Sequence, residues 1–69
     1  MTLVEIVSEM KPESQDEAHG ILAIFKTDGA EELMYRKALK EHIETKYSLS
    51  ADDVAIVIRQ LIEQAKRMV

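Results

Sequence analysis

Cysteine is absent from this chain, and that single gap removes disulfides and thiolate metal sites together. It fits a reducing compartment, so a cytoplasmic localisation is expected. Only His19 and His42 remain as soft metal ligands. They fall on different predicted helices without HxxH or HxxxH spacing, so neither a metal nor a cofactor is expected. Glycine is scarce as well: Gly20 and Gly29 stand isolated, which excludes a glycine-rich phosphate loop. No apolar run approaches the ~20 residues needed to cross a bilayer. The opening "MTLVEIVSEM" carries acid where a secretory signal has a basic n-region. Neither a membrane span nor a signal is therefore expected, and no small-molecule substrate is evident.

What remains is a short chain rich in both apolar and charged residues. Its 69 residues make one small domain, 46% hydrophobic and 32% charged, a balance that suits a packed globule rather than disorder. A domain of this size buries only about 60% of the surface of its unfolded chain, and its core supplies roughly 3–5 kcal/mol at most. Without disulfides or metal, self-association is the remaining reinforcement, and a homodimer is expected. The net charge of −4 is unevenly placed. Residues 1–30 hold six acids against Lys11 and Lys26, whereas residues 31–69 hold seven of each sign. The acidic first part suits a basic partner surface.

Four helices can be read from start and stop signals, which predicts a compact all-α domain. Thr2 with Glu5 forms a capping box ahead of Leu3, Ile6, Val7 and Met10 at helical spacing, and Lys11-Pro12 ends that segment. A β-strand competes there, because Leu3, Val4, Ile6 and Val7 are mostly β-favouring. Ser14 with Glu17 repeats the box before a second helix whose face is Ala18, Ile21, Leu22 and Phe25, flanked by Ile24. Gly29 is expected to close that helix in a left-handed conformation. A third helix is predicted from about Ala30 to Lys46, with Met34, Tyr35, Ala38, Leu39, His42 and Ile43 inward and Arg36, Lys37, Lys40, Glu41 and Glu44 outward. The fourth starts at the Ser50 cap, with Asp52 and Asp53 in its first turn. Val54, Val57, Ile58, Leu61, Ile62, Ala65 and Met68 line its buried side.

Chemistry-bearing constellations are few. His42 reads as a partly buried histidine rather than a general base, and "PESQDE" lacks the ligand spacing of a calcium loop. A chain this small also lacks walls for a substrate-burying cleft, so an enzyme is not expected. Arg36, Lys37 and Lys40 form a basic cluster that suits phosphates. The competing reading pairs Glu32 with Arg36, Lys37 with Glu41 and Lys40 with Glu44 on a solvated face. On the fourth helix, a 100° step per residue puts Ile56 opposite Val54, beside Arg59, Gln60, Glu63 and Arg67. Ile56 there is either a recognition or partner contact, or a residue covered by the first helix or by a second subunit.

The segment "ELMYRKALKEHIETKYSLSADDVAIVIRQLI" resembles the second helix, turn and third helix of winged-helix domains, with "AHGILAIFKTDG" as the preceding helix. The resemblance covers residues 18–65, rests on Leu49, Ser50, Val54, Ile58 and Leu61, and does not include a wing. It implies a helix-turn-helix DNA reader in which the 51–67 helix enters the major groove. Arg59, Gln60 and Ile56 would then face the bases, and Arg36, Lys37 and Lys40 the backbone. Composition and surface pattern favour a different primary expectation: a small acidic helical module that regulates or contacts another protein, with DNA binding as the alternative.

Overall fold

The computed structural model describes every residue from Met1 to Val69. It is all-α, with helices α1 (Leu3–Met10), α2 (Gln15–Lys26), α3 (Ala30–Tyr47) and α4 (Ala51–Met68). The first segment is a helix and not a strand, because its ends are fixed locally. Glu5 N–H donates to the Thr2 hydroxyl at 3.2 Å and the Thr2 N–H donates to the Glu5 carboxylate at 3.1 Å, the reciprocal capping box. The Thr2 N–H and, at 3.1 Å, the Thr2 hydroxyl both donate to the Glu5 carboxylate, which favours its ionised form and holds Glu5 below the usual carboxylate range.

The other starts follow the same physics with variations. Ser14 accepts from the Glu17 N–H at 3.2 Å, but the Glu17 carboxylate reaches past it to the Glu13 N–H at 2.7 Å. Ser50 accepts from the Asp53 N–H at 3.2 Å. Gly29 departs from expectation: its backbone is extended, with φ −63° and ψ 157°, and it opens α3 instead of closing α2. The Ala-Glu-Glu that follows it starts a helix at once, so the glycine serves as a cap without a side chain. The one left-handed residue is Ser48, with φ 53° and ψ 48°, between α3 and α4.

Every other helix packs against α4. Its Val54, Val57, Ile58, Leu61 and Ala65 are buried, and they meet Ile6 and Val7 of α1 and Ile43 of α3 in one core cluster. Ala18 of α2 is fully buried, with Phe25 packed against the cluster's edge. Two surface hydrogen bonds join elements distant in sequence. Gln15 Nε2 donates to the Met68 carbonyl at 3.2 Å, and the Tyr47 hydroxyl donates to the Glu9 carboxylate at 2.8 Å. The radius of gyration, 11.6 Å, is close to the ~11 Å expected for this length, but the body is flat at 28 × 26 × 15 Å.

The inward face of α3 keeps Leu39 and Ile43 of the expected apolar arc but is rotated away from Met34, Tyr35, Ala38 and His42. Ile43 is buried, and Arg36, Leu39 and Tyr47 are half-buried on the same side. Met34 and Tyr35 are 70% and 54% exposed, and Ala38 and His42 are exposed too. His42 is therefore not the partly buried histidine that the sequence suggests. None of the three expected Glu–Lys/Arg pairs along α3 forms; the sole ion pair of the molecule joins Arg36 to Asp28.

Two stability outcomes follow from this packing. Ile43→Ala leaves a cavity in a fully buried position and is expected to cost about 2–5 kcal/mol, a large part of the stability of so small a core, read as a lowered midpoint in urea unfolding followed by circular dichroism. Ser48→Gly removes the Cβ from a left-handed position and is expected to raise the urea midpoint by up to about 1 kcal/mol equivalent.

Candidate functional site

The expected contact residues separate into two groups. Arg36 does not face outward. Its side chain is 17% exposed and folds over the C-terminal end of α2, where Nε donates to the Ile24 carbonyl at 2.6 Å and Nη2 to the Thr27 carbonyl. Nη1 pairs with Asp28 at 3.0 Å, and the guanidinium lies 5.4 Å from the centre of the Phe25 ring. A helix ends with carbonyls that have no intrahelical partner, and no glycine turns back here to satisfy them. Arg36 does that work from the next helix, with a planar donor fork that a lysine lacks.

Lys37 and Lys40 remain exposed on α3, and Arg59, Gln60 and Arg67 remain exposed on α4. The basic cluster read from the sequence is thus reduced, because its arginine is committed internally. Ile56 stands out from α4 as the helical angle requires and is 41% exposed. It is not isolated, however. Together with Gln60 and Gln64 it forms one wall of a groove whose other wall is Leu3, Val4, Val7 and Ser8 of α1. The first helix flanks Ile56 without covering it.

The groove encloses about 300 Å³. An apolar space of about 150 Å³ takes up a benzene ring, so two groups of that size fit. Val4, at 76%, is the most exposed large apolar residue in the molecule. None of the seven lining residues is charged, in a chain where about one residue in three is. The spacing Ile56, Gln60, Gln64 repeats every four residues and makes one ridge of α4. Val4 and Ser8 form the matching ridge of α1. The helical angle reveals the α4 half from sequence; the α1 half depends on how α1 crosses α4, for which a single sequence carries no signal.

A second hollow lies between α2 and α4, lined by Leu22, Phe25, Lys26, Ile62 and Lys66. Its two lysines sit in the last turns of their helices, where cations oppose the dipole and their stems cover apolar surface. No group of His, Asp or Glu side chains is placed to hold a metal ion, and no helix is long and apolar enough to cross a membrane.

The role of Arg36 has a direct check. Arg36→Ala is expected to lower stability by about 1–3 kcal/mol in urea unfolding, because two carbonyls at the α2 end lose their donor. Lys37→Ala and Lys40→Ala should each stay within about 0.5 kcal/mol of the parent. Comparison with models of known families, with curated proteins and with solved structures finds no match to this chain.

Proposed function

We propose that this protein is a small protein-interaction module of a regulatory kind, and that the groove between α1 and α4 is where it docks. The observation that carries the reading is the uncharged, partly apolar lining of that groove, with Val4 and Ile56 standing exposed in it. Interface cores are depleted in charge and enriched in apolar contact, and covering such surface releases about 25 cal/mol per Å². Gln60, Gln64 and Ser8 at its edges offer hydrogen bonds without the desolvation penalty of an ion. Self-association belongs to the same reading, since a second copy is one such partner.

The helix-turn-helix alternative is supported by the α3–turn–α4 arrangement and by the exposure of Arg59, Gln60, Arg67, Lys37 and Lys40. Against it, Arg36 is engaged within the fold, and Ile56 and Gln60 face a neutral groove. The chain also carries a net −4, which weakens counterion release at a phosphate backbone.

Two readouts separate the alternatives. Capture of a protein partner from a cell extract is expected to be lost with Ile56→Glu and retained with Arg59→Ala. Anisotropy of a labelled random duplex is expected to show no binding at about 50 mM salt; micromolar binding that collapses by about 200 mM, and that Arg59→Ala abolishes, would replace the docking reading with DNA recognition.

A further inference from the structure

The hollow between α2 and α4 joins apolar walls to unpaired charge. Leu22, Phe25 and Ile62 are half-buried in it, and Phe25 and Ile62 rest on the core cluster, so its floor is fixed by packing. Lys26 and Lys66 stand exposed at its rim. The molecule's sole ion pair is Arg36 with Asp28, which leaves both ammonium groups without a carboxylate partner. No acid lines the hollow, although acids outnumber Lys and Arg by 13 to 9 in the chain. Of the acids nearest in sequence, Asp28 is held by Arg36, and Glu63 is turned about 100° around α4 from Ile62. The dipole of each helix accounts for a cation in its last turn, but not for the absence of acid between the two.

The direction of the helices decides what fits. Gln15 at the start of α2 bonds the Met68 carbonyl at the end of α4, so the two helices run in opposite senses. Lys26 stands one turn past Leu22, and Lys66 one turn past Ile62. The two positive heads therefore lie toward opposite ends of one apolar strip. The space, about 310 Å³, exceeds the ~150 Å³ that takes up a benzene ring, so one large aliphatic or aromatic side chain fits. We infer that this hollow binds an acidic peptide segment of a partner protein. A large apolar side chain of that segment seats on Phe25 and Ile62, with a carboxylate on each side of it, one facing Lys26 and the other Lys66. A fatty acid has a single anionic head and meets only one of the two cations. An anionic membrane offers a plane where this surface is recessed, and the net −4 repels it. The hollow shares no lining residue with the α1/α4 groove, so the site stands independently of docking there.

The probe is an acetylated, amidated hexapeptide, Asp-Glu-Leu-Phe-Asp-Glu, titrated into the isotope-labelled full chain at about 20 mM salt and followed by backbone amide shifts. Saturable shifts are expected at Leu22, Phe25, Lys26, Ile62 and Lys66, with Ile56 and Gln60 unmoved. Lys26→Glu combined with Lys66→Glu should weaken the peptide at least about tenfold. The same double variant should instead take up a peptide in which every acid is replaced by lysine, a rescue that a purely structural role for the two lysines does not produce. Both side chains are exposed, so unchanged helicity is expected and is checked by circular dichroism. Should charge reversal in the last turns unravel the helix ends, Lys26→Gln with Lys66→Gln replaces it and should still weaken binding several-fold. No saturable shift up to about 5 mM peptide, shifts centred elsewhere, or binding indifferent to both lysines would overturn the inference. Octanoate binding as tightly as the peptide would overturn the peptide assignment, since one anionic head would then suffice. None of these outcomes touches the α1/α4 groove, whose own readout is partner capture lost with Ile56→Glu.

Discussion

Everything in this fold depends on the apolar stripe of α4. That helix supplies five of the ten buried residues and is the surface on which α1, α2 and α3 all lie. Helices of 8 and 12 residues are marginal in water by themselves, so α1 and α2 exist because α4 covers their inner faces. Val54, Val57, Ile58, Leu61 and Ala65 recur at steps of three and four, which places them on one side through more than three turns. The consequence is a single-sided core. Neighbours wrapped around one face of one helix make a thin body, and the flank of α4 beyond the last neighbour stays open. The groove is that flank, bounded where α1 stops short of Ile56, Gln60 and Gln64.

A second constraint acts at the other edge, where α2 ends without a left-handed glycine. The carbonyls of Ile24 and Thr27 take the Arg36 guanidinium instead, which holds the α2 end against α3. The ion pair with Asp28 adds little by itself, since that carboxylate is exposed to solvent; the carbonyl bonds are the substantial part. Structure and function compete for one side chain here. An arginine folded over a helix end and stacked near Phe25 is not free to neutralise a phosphate, so the fold withdraws the residue best suited to grip a nucleic-acid backbone. What the surface keeps for such a role is Lys37 with Lys40 on α3 and Arg59, Lys66 and Arg67 on α4, interspersed with acids.

The sequence makes α2 and α4 legible because each has a polar cap followed by apolar residues at helical steps; α1 has the same signals, but its β-favouring residues leave a strand open until the structure shows the helix. Those local signals agree with the tertiary structure. α3 is different. Its extent is readable, but its apolar residues bunch at Leu33, Met34 and Tyr35, and a face drawn through Met34, Tyr35 and His42 points to solvent. The face that turns inward runs through Arg36, Leu39, Ile43 and Tyr47, and its first member is a cation whose partners lie on α2. Periodicity counts hydrophobicity and gives no credit to an arginine that satisfies carbonyls, so the rotation of α3 was hidden. Gly29 misleads for a related reason: glycine both ends and begins helices, and only the backbone angle distinguishes the two. For the groove, the exposure of Ile56 follows from helix geometry alone. The pairing of Ile56 with Val4 is a long-range fact about how α1 crosses α4.

The chemistry of the groove walls also bears on why this surface should be coverable at all. A helix flank that stays in water permanently, in a chain with 32% charged residues, has no reason to avoid lysine and glutamate. This ridge carries Gln60 and Gln64 between Ile56 and the basic last turn, and the facing ridge carries Ser8 beside Val4. Glutamine and serine are soluble enough for the free monomer, yet they lose far less than an ion when water is removed. Their hydrogen bonds can be remade across a contact at little net cost. Such a surface tolerates both the exposed and the covered state, which a fully apolar ridge and a charged ridge do not. That tolerance is what the proposed reversible docking requires: a chain that persists alone and loses water from one face on binding. The small core supports the same conclusion from the side of stability. With only a few kcal/mol expected to hold a domain of this size, a ligand of the proposed kind that covered Val4 and Ile56 would add a meaningful fraction of that total and so reinforce the packing of α1 onto α4.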